Sequence, residues 1–302
     1  MFAKTQFLLK RTFVKTQRAL FGYGFASSAN QSMTNLVSNT GVVATDTTGV
    51  GTARFQLAAS GYGLDKAIFG YGRDYNTANF LSITNLVSNT GAVSTDTAGV
   101  GTVRSNLAAA RYGADKAIFG YGLTGADTSS VTNLVSNTGV VATDTTGVGT
   151  ARVAASGYGG DKAIFGYGTG TSGTILSITN KVSNTGVVAT DTTGVGTARF
   201  SLAAASYSTD KAIFGYGYTG SSFSITNLVS NVGVVSTDTT GVGTARGYLA
   251  ASGYGGDKAI FGYGAITPIS LTNLVSNTGV VATDTTGVGT ARRDLAAAGY
   301  SV

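Results

Sequence analysis

Thr179-Asn-Lys-Val-Ser-Asn-Thr-Gly-Val-Val-Ala-Thr-Asp-Thr-Thr-Gly-Val-Gly-Thr-Ala-Arg199 recurs six times along the chain, nearly letter for letter. The copies begin at Thr34, Thr84, Thr132, Thr179, Thr226 and Thr272 and end on Arg54, Arg104, Arg152, Arg199, Arg246 and Arg292. Those arginines lie 50, 48, 47, 47 and 46 residues apart. A second block, Phe-Gly-Tyr-Gly, starts at Phe21, Phe69, Phe119, Phe165, Phe214 and Phe261. So long and regular a period marks an array of one supersecondary unit.

Composition fits a folded array. Hydrophobic residues make up 42% of the 302, and there is one proline. Glycine is 45 of 302, against an ordinary usage of about 7%. The glycines fall at fixed phases of the repeat, so they mark turns and close backbone contacts. The chain has no Cys, His or Trp, and all 14 acids are Asp. These absences exclude a disulfide, a thiolate or histidine metal site and a histidine-based catalytic triad. No apolar run approaches the roughly 20 residues of a membrane-spanning helix. No metal or cofactor is expected.

The net charge of +6 is not a property of the repeats. Residues 1–18 carry Lys4, Lys10, Arg11, Lys15, Arg18 and no acid, while the rest carries 15 basic against 14 acidic groups. A near-neutral body gives no basic face for nucleic acid. Residues 1–16 alternate basic and apolar residues and lack the glycines of the repeat. Acid-free and Arg-containing, they share features with an organelle transit peptide but contain no serine. A frayed terminus is the plain reading; the sharper one is an arm that docks on a partner.

One unit illustrates the rest. Val153-Ala-Ala-Ser-Gly-Tyr-Gly is a run of small residues, and Lys162-Ala-Ile-Phe-Gly-Tyr-Gly168 is an apolar strand ending in glycine. After a variable linker, Ser177-Ile-Thr-Asn-Lys-Val-Ser-Asn reads as a third strand. The β-branched Val187-Val-Ala-Thr-Asp-Thr-Thr reads as a fourth. No helical period occurs. The expectation is an all-β chain: a six-bladed β-propeller of four-stranded antiparallel blades.

The order of these strands resembles the kelch repeat. Kelch blades end an apolar strand in paired glycines, where this chain has Gly166-Tyr167-Gly168. They also often place an arginine before the next inner strand, where this chain has Arg199 and its five equivalents. The kelch tryptophan is absent, and Thr-Asn replaces the usual tyrosine of the third strand. The resemblance covers about residues 17–302 and implies a propeller used as a platform, an oxidase domain or an adaptor, so it leaves function open.

The chain enters at a second strand, Arg18-Ala-Leu-Phe-Gly-Tyr-Gly24, and leaves on a first strand, Arg293-Asp-Leu-Ala-Ala-Ala-Gly-Tyr-Ser301. Pairing these two would close the propeller through one blade shared between residues 17–51 and 293–302, removing open edges. In competition, Phe7-Leu8-Leu9 aligns with Phe55-Gln56-Leu57, so the arm could supply that strand instead.

The repeated charges form rings. Asp46, Asp96, Asp144, Asp191, Asp238 and Asp284 lie eight residues before Arg54, Arg104, Arg152, Arg199, Arg246 and Arg292. The expectation is a structural ring in which each Asp ties its unit's last strand to the following Arg. Sixfold repetition favours structure over a ligand site, because active sites break repeat symmetry. Asp65-Lys66, Asp115-Lys116, Asp161-Lys162, Asp210-Lys211 and Asp257-Lys258 read as hairpin turns. The tyrosines Tyr71, Tyr121, Tyr167, Tyr216 and Tyr263 read as blade packing or as platforms for a sugar. The linkers after the glycines vary between units and all join the same two strands, so they share one face.

The functional expectation is a non-enzymatic structural or binding scaffold. The near-identical units resemble the repeat proteins of phage and other viral particles, where propellers decorate capsids or tails. A virion is then the favoured location, and the partner is that assembly. Docking would use the arm residues Phe2, Lys4, Phe7, Leu8, Leu9, Lys10, Arg11 and Phe13. The alternative is a multivalent lectin binding surface glycans. An enzyme is disfavoured: outside the two sets of repeated acids only Asp74, Asp127 and Asp294 remain.

Overall fold

A computed structural model of the chain describes residues 16–125, 127–150 and 155–302. The expected docking residues of the arm, and Arg152 of the ring, lie outside the described residues. Thr16, assigned to the arm by sequence, exchanges two backbone hydrogen bonds with Val302, at 2.9 and 3.1 Å.

The described chain is all-β apart from a short 3-10 turn at Thr171–Gly173. The strands are β1 (Gln17–Ala26), β2 (Ala29–Val37), β3 (Ala58–Tyr62), β4 (Lys66–Arg73), β5 (Phe80–Val87), β6 (Ala108–Tyr112) and β7 (Lys116–Gly120). Then come β8 (Leu123–Thr124), β9 (Asp127–Thr128), β10 (Thr132–Val135), β11 (Ala155–Tyr158), β12 (Lys162–Thr169) and β13 (Ile175–Val182). The last are β14 (Ala203–Tyr207), β15 (Lys211–Tyr218), β16 (Ser222–Val229), β17 (Ala250–Tyr254), β18 (Lys258–Gly262), β19 (Thr272–Val275) and β20 (Ala296–Ser301). They form six three-stranded antiparallel sheets, with β8 and β9 a small separate ladder. Among the described residues no sheet closes on itself.

The middle strand of each sheet carries Ala-Ile-Phe-Gly or its β1 counterpart Ala-Leu-Phe-Gly. It is buried on both faces, which is why it reads as an apolar run and not as an alternation. The first strands do alternate: Ala58, Ser60 and Tyr62 are buried while Ala59 and Gly61 are half-buried. Six apolar clusters result, each shared between two neighbouring sheets. Tyr62, Ile68 and Tyr71 of one sheet, for example, pack with Leu107, Phe119 and Val135 of the next.

The register of β4 against β5 shifts between Gly70 and Gly72. Tyr71 sits in that bulge with φ 63°, a left-handed conformation that costs a non-glycine residue free energy. Its ring is fully buried and its hydroxyl donates to Val100 O at 3.1 Å, which offsets the strain. Gly72, at φ 104°, needs its missing Cβ, which would stand 2.8 Å from Phe55 O.

The C-terminal strand, β20, lies beside the first. β20 pairs with β1 from Gln17↔Ser301 to Gly22↔Ala296. Contacts between first strands run β3 to β6, β11, β14, β17, β20 and back to β3.

The expectation of a fourth strand per unit is not met. The segment after β2 touches it only through isolated bridges at Val37↔Val43 and Thr34↔Thr47. Between them Asn35 Nδ2 takes the place of ladder bonds, donating to Ala44 O at 3.0 Å and Asp46 Oδ1 at 2.8 Å. The β-branched residues lie largely in solvent, with Val42 66% exposed. The same pair of bridges recurs in the other five units.

Candidate functional site

The repeated Arg is the centre of a joint between sheets. Arg54 follows β2, and its guanidinium lies 4.4 Å above the Tyr23 ring of β1. Its nitrogens reach the next sheet: Nε donates to Tyr71 O at 2.7 Å and Nη2 to Asn85 Oδ1 at 2.8 Å. Asn85 donates to Asp96 Oδ1 at 2.8 Å, and Asp96 accepts from Thr52 Oγ1 at 2.6 Å, two residues before Arg54. The circuit leaves one sheet, crosses the next and returns. Arg199 and Arg246 repeat it with Asn227 and Asn273, each at 2.7 Å. The last joint spans the chain ends: Arg292 donates to Asn35 at 2.6 Å and to Asp46 at 3.4 Å.

The expected pairing within a unit is therefore corrected. Arg104 faces Asp144 at 3.6 Å, Arg199 faces Asp238 at 3.9 Å and Arg246 faces Asp284 at 3.9 Å. Asp191 accepts from Thr150 and Asn180, so it serves the preceding joint and not Arg199. Each Asp lies past its own strand end, on the side where the preceding unit's Thr-Ala-Arg arrives.

Electrostatics follow burial. Desolvation lowers the Arg54, Arg199, Arg246 and Arg292 pKa values, with the neighbouring Tyr and Asp opposing it. Desolvation raises Tyr71, Tyr167, Tyr216 and Tyr263 to about 12 despite the stacked Arg. Burial pushes the Asp96 carboxyl up, but hydrogen bonds from Thr52 and Asn85 and the charge of Arg54 outweigh it, so its pKa falls. The five tyrosines proposed as sugar platforms are wholly buried, so no sugar can stack on them. The Asp-Lys turns hold local ion pairs, such as Lys162–Asp161 at 2.8 Å.

Where the units differ, two cavities face each other along the first strands. Both are lined by Ala59, Ala109, Ala204, Ala251 and Ala297, which form a collar between them. The larger, about 560 Å3, opens at the linker end. It is lined by Gln56, Asn106, Ser201, Tyr248 and Asp294, with Thr128 and Thr169 from two linkers. These five occupy one phase of the repeat, directly before a Leu, yet no two are alike. Their backbones link round the rim: Asn106 N donates to Gln56 O, Gln56 N to Asp294 O, Asp294 N to Tyr248 O and Tyr248 N to Ser201 O. Asp294 is buried among them, and desolvation raises its pKa to about 7 against the opposing charge of Arg293, 3.8 Å away. Sequence reasoning set this acid aside; its signal was variation at a fixed phase.

The smaller cavity, about 260 Å3, lies at the opposite, hairpin end. Backbone bonds tie the hairpins in turn: Ser301 N to Asp65 O, Gly63 N to Asp115 O, Gly113 N to Asp161 O, Gly159 N to Asp210 O, Ser208 N to Asp257 O and Gly255 N to Gln17 O. Among the described residues no cluster of three His, Cys, Asp or Glu forms a metal site. No helix of the described residues is long and apolar enough to cross a membrane. No protein-family model matches the chain, and no curated protein matches it either.

Proposed function

We propose that the six sheets are the blades of a closed, six-bladed, kelch-like β-propeller, and that the chain is a non-enzymatic binding scaffold. The observation that carries the function is the split between constancy and variation. The repeated polar side chains are consumed in the joints between sheets. The five unlike residues and two of the variable linkers line one cavity. A rigid body with one variable face is how a recognition surface is built. Support for closure comes from β20 beside β1, from Arg292 on Asn35 and from first-strand contacts that return to their start.

The scaffold reading includes attachment through residues 1–16 to a larger assembly, a phage or viral particle. The test is incorporation into purified particles. Loss of residues 1–15 abolishes incorporation and leaves thermal unfolding unchanged, whereas Tyr248→Ala leaves incorporation intact. Normal incorporation of the truncated chain overturns the docking role.

A lectin is the second reading, favoured by one ring on the linker face. Tyr75 is 54% exposed and packs on Phe25 at 4.8 Å, an aromatic surface open to a sugar. Saturable binding on a glycan array, lost in Tyr75→Ala, selects this reading over the assembly role.

A further inference from the structure

One residue breaks the repeat at the hairpin end. The equivalent positions on the first strands are Gly61, Arg111, Gly157, Ser206, Gly253 and Gly299, and all line the smaller cavity. Five units offer a glycine or a serine there and one offers a guanidinium. On β6, Ala110 and Tyr112 are each 3% exposed and pack between sheets, so Arg111 alternates to the cavity side.

Among the described residues Arg111 forms no side-chain hydrogen bond or ion pair. Its Nε is buried without a hydrogen-bond acceptor. The nearby acids are held elsewhere: Asp115 accepts from Lys116 and from Asn137, and Asp65 from Lys66. Among the described residues no acid lines the cavity, and its other charged groups are Lys162 and Lys258. Desolvation lowers the Arg111 pKa, and the charges of Asp115 and Asp65 oppose it. Buried donors normally have acceptors. A guanidinium presents a planar fork matched to two oxygens of one anion.

We propose that Arg111 binds a small oxyanion of the phosphate class inside the hairpin-end cavity, one per chain. The glycines at four of the equivalent positions leave the room, and the Ser206 hydroxyl stands at the same level as a second donor. Lys162 and Lys258 are neutralised by Asp161 and Asp257, at 2.8 Å each, which leaves the Arg111 guanidinium as the uncompensated charge facing the cavity among the described residues. The site stands whether or not the linker face recognises a partner.

The test is calorimetric titration of the full chain with inorganic phosphate in a chloride buffer. Arg111→Gly is the main variant, because four units already carry glycine there and fold with it. The full chain takes up one phosphate saturably. Arg111→Gly loses at least about tenfold in affinity while its thermal unfolding without phosphate stays the same or rises. Arg111→Lys keeps the stoichiometry with weaker binding. Absence of saturable uptake by the full chain, or equal affinity in Arg111→Gly, overturns the proposal.

Discussion

Asn227 shows how much one side chain can carry. It is fully buried, accepts from Arg199 and donates to Ser236 O and Asp238. Asn227→Ala strands a buried guanidinium and a carbonyl, so the expected cost is about 2–4 kcal/mol, read from the urea midpoint. Asp238→Asn costs about 1 kcal/mol, because that carboxylate is partly exposed and 3.9 Å from the guanidinium. Asp191→Asn leaves Arg199 untouched, and equal loosening of Arg199 by both changes would contradict the joint as described. Asp294 behaves in the opposite sense. Its folded pKa of about 7 lies above the unfolded value, so the folded state holds an extra proton between about pH 4 and 7. Stability drains away as pH rises through that window and is flat above it. Asp294→Asn removes the slope and stabilises the chain at pH 8 by on the order of 1–4 kcal/mol; an unchanged profile in unfolding titrations from pH 4 to 8 refutes this. Which partner each Arg takes was not legible in the sequence, for a physical reason. Shifting an array by one period leaves it unchanged, so pairing within a unit and pairing across units look alike.

At the scale of elements, the strand β20 has a defined task. It covers one edge of β1 through six residue pairs and contributes Ala296, Ala298 and Tyr300 to the cluster shared with Phe69. Deleting residues 293–302 exposes that edge and those apolar faces. The truncated chain is expected to melt at lower temperature and self-associate, seen by calorimetry and light scattering; a monomer with unchanged melting excludes the closing role of β20. The strands most legible in the sequence are the middle ones, whose apolar runs and paired glycines repeat without exception. The fourth segment was misread because β-branched composition reports what a backbone tolerates, not where its hydrogen bonds go. Asn35 and its equivalents supply those bonds from a side chain. Arg111 and the rim residues were legible only by subtraction, as departures from an otherwise constant phase.

Across the whole molecule the joints act in series. Asp46, Asp96, Asp144, Asp238 and Asp284 all have lowered pKa values: burial raises each, and hydrogen bonds from Thr and Asn with the Arg charge outweigh it. Each therefore adds stability above the unfolded carboxyl value near 4, lost as pH falls through the lower folded value. Acid is expected to weaken these joints together, giving one cooperative transition below about pH 4 by circular dichroism; sheets that melt separately at different pH values would show the joints to be independent. The likeness of the joints has one more consequence. The chemistry that seats Arg54 on Asn85 also seats Arg292 on Asn35, 257 residues away. Nothing in a joint can therefore count. In the proposed ring a nascent chain keeps an unclosed end until its last unit leaves the ribosome, and during that interval an identical unit on a neighbouring polysome is as good a match as its own beginning. The number of units, and dilution during synthesis, then decide between the proposed ring and an exchanged oligomer.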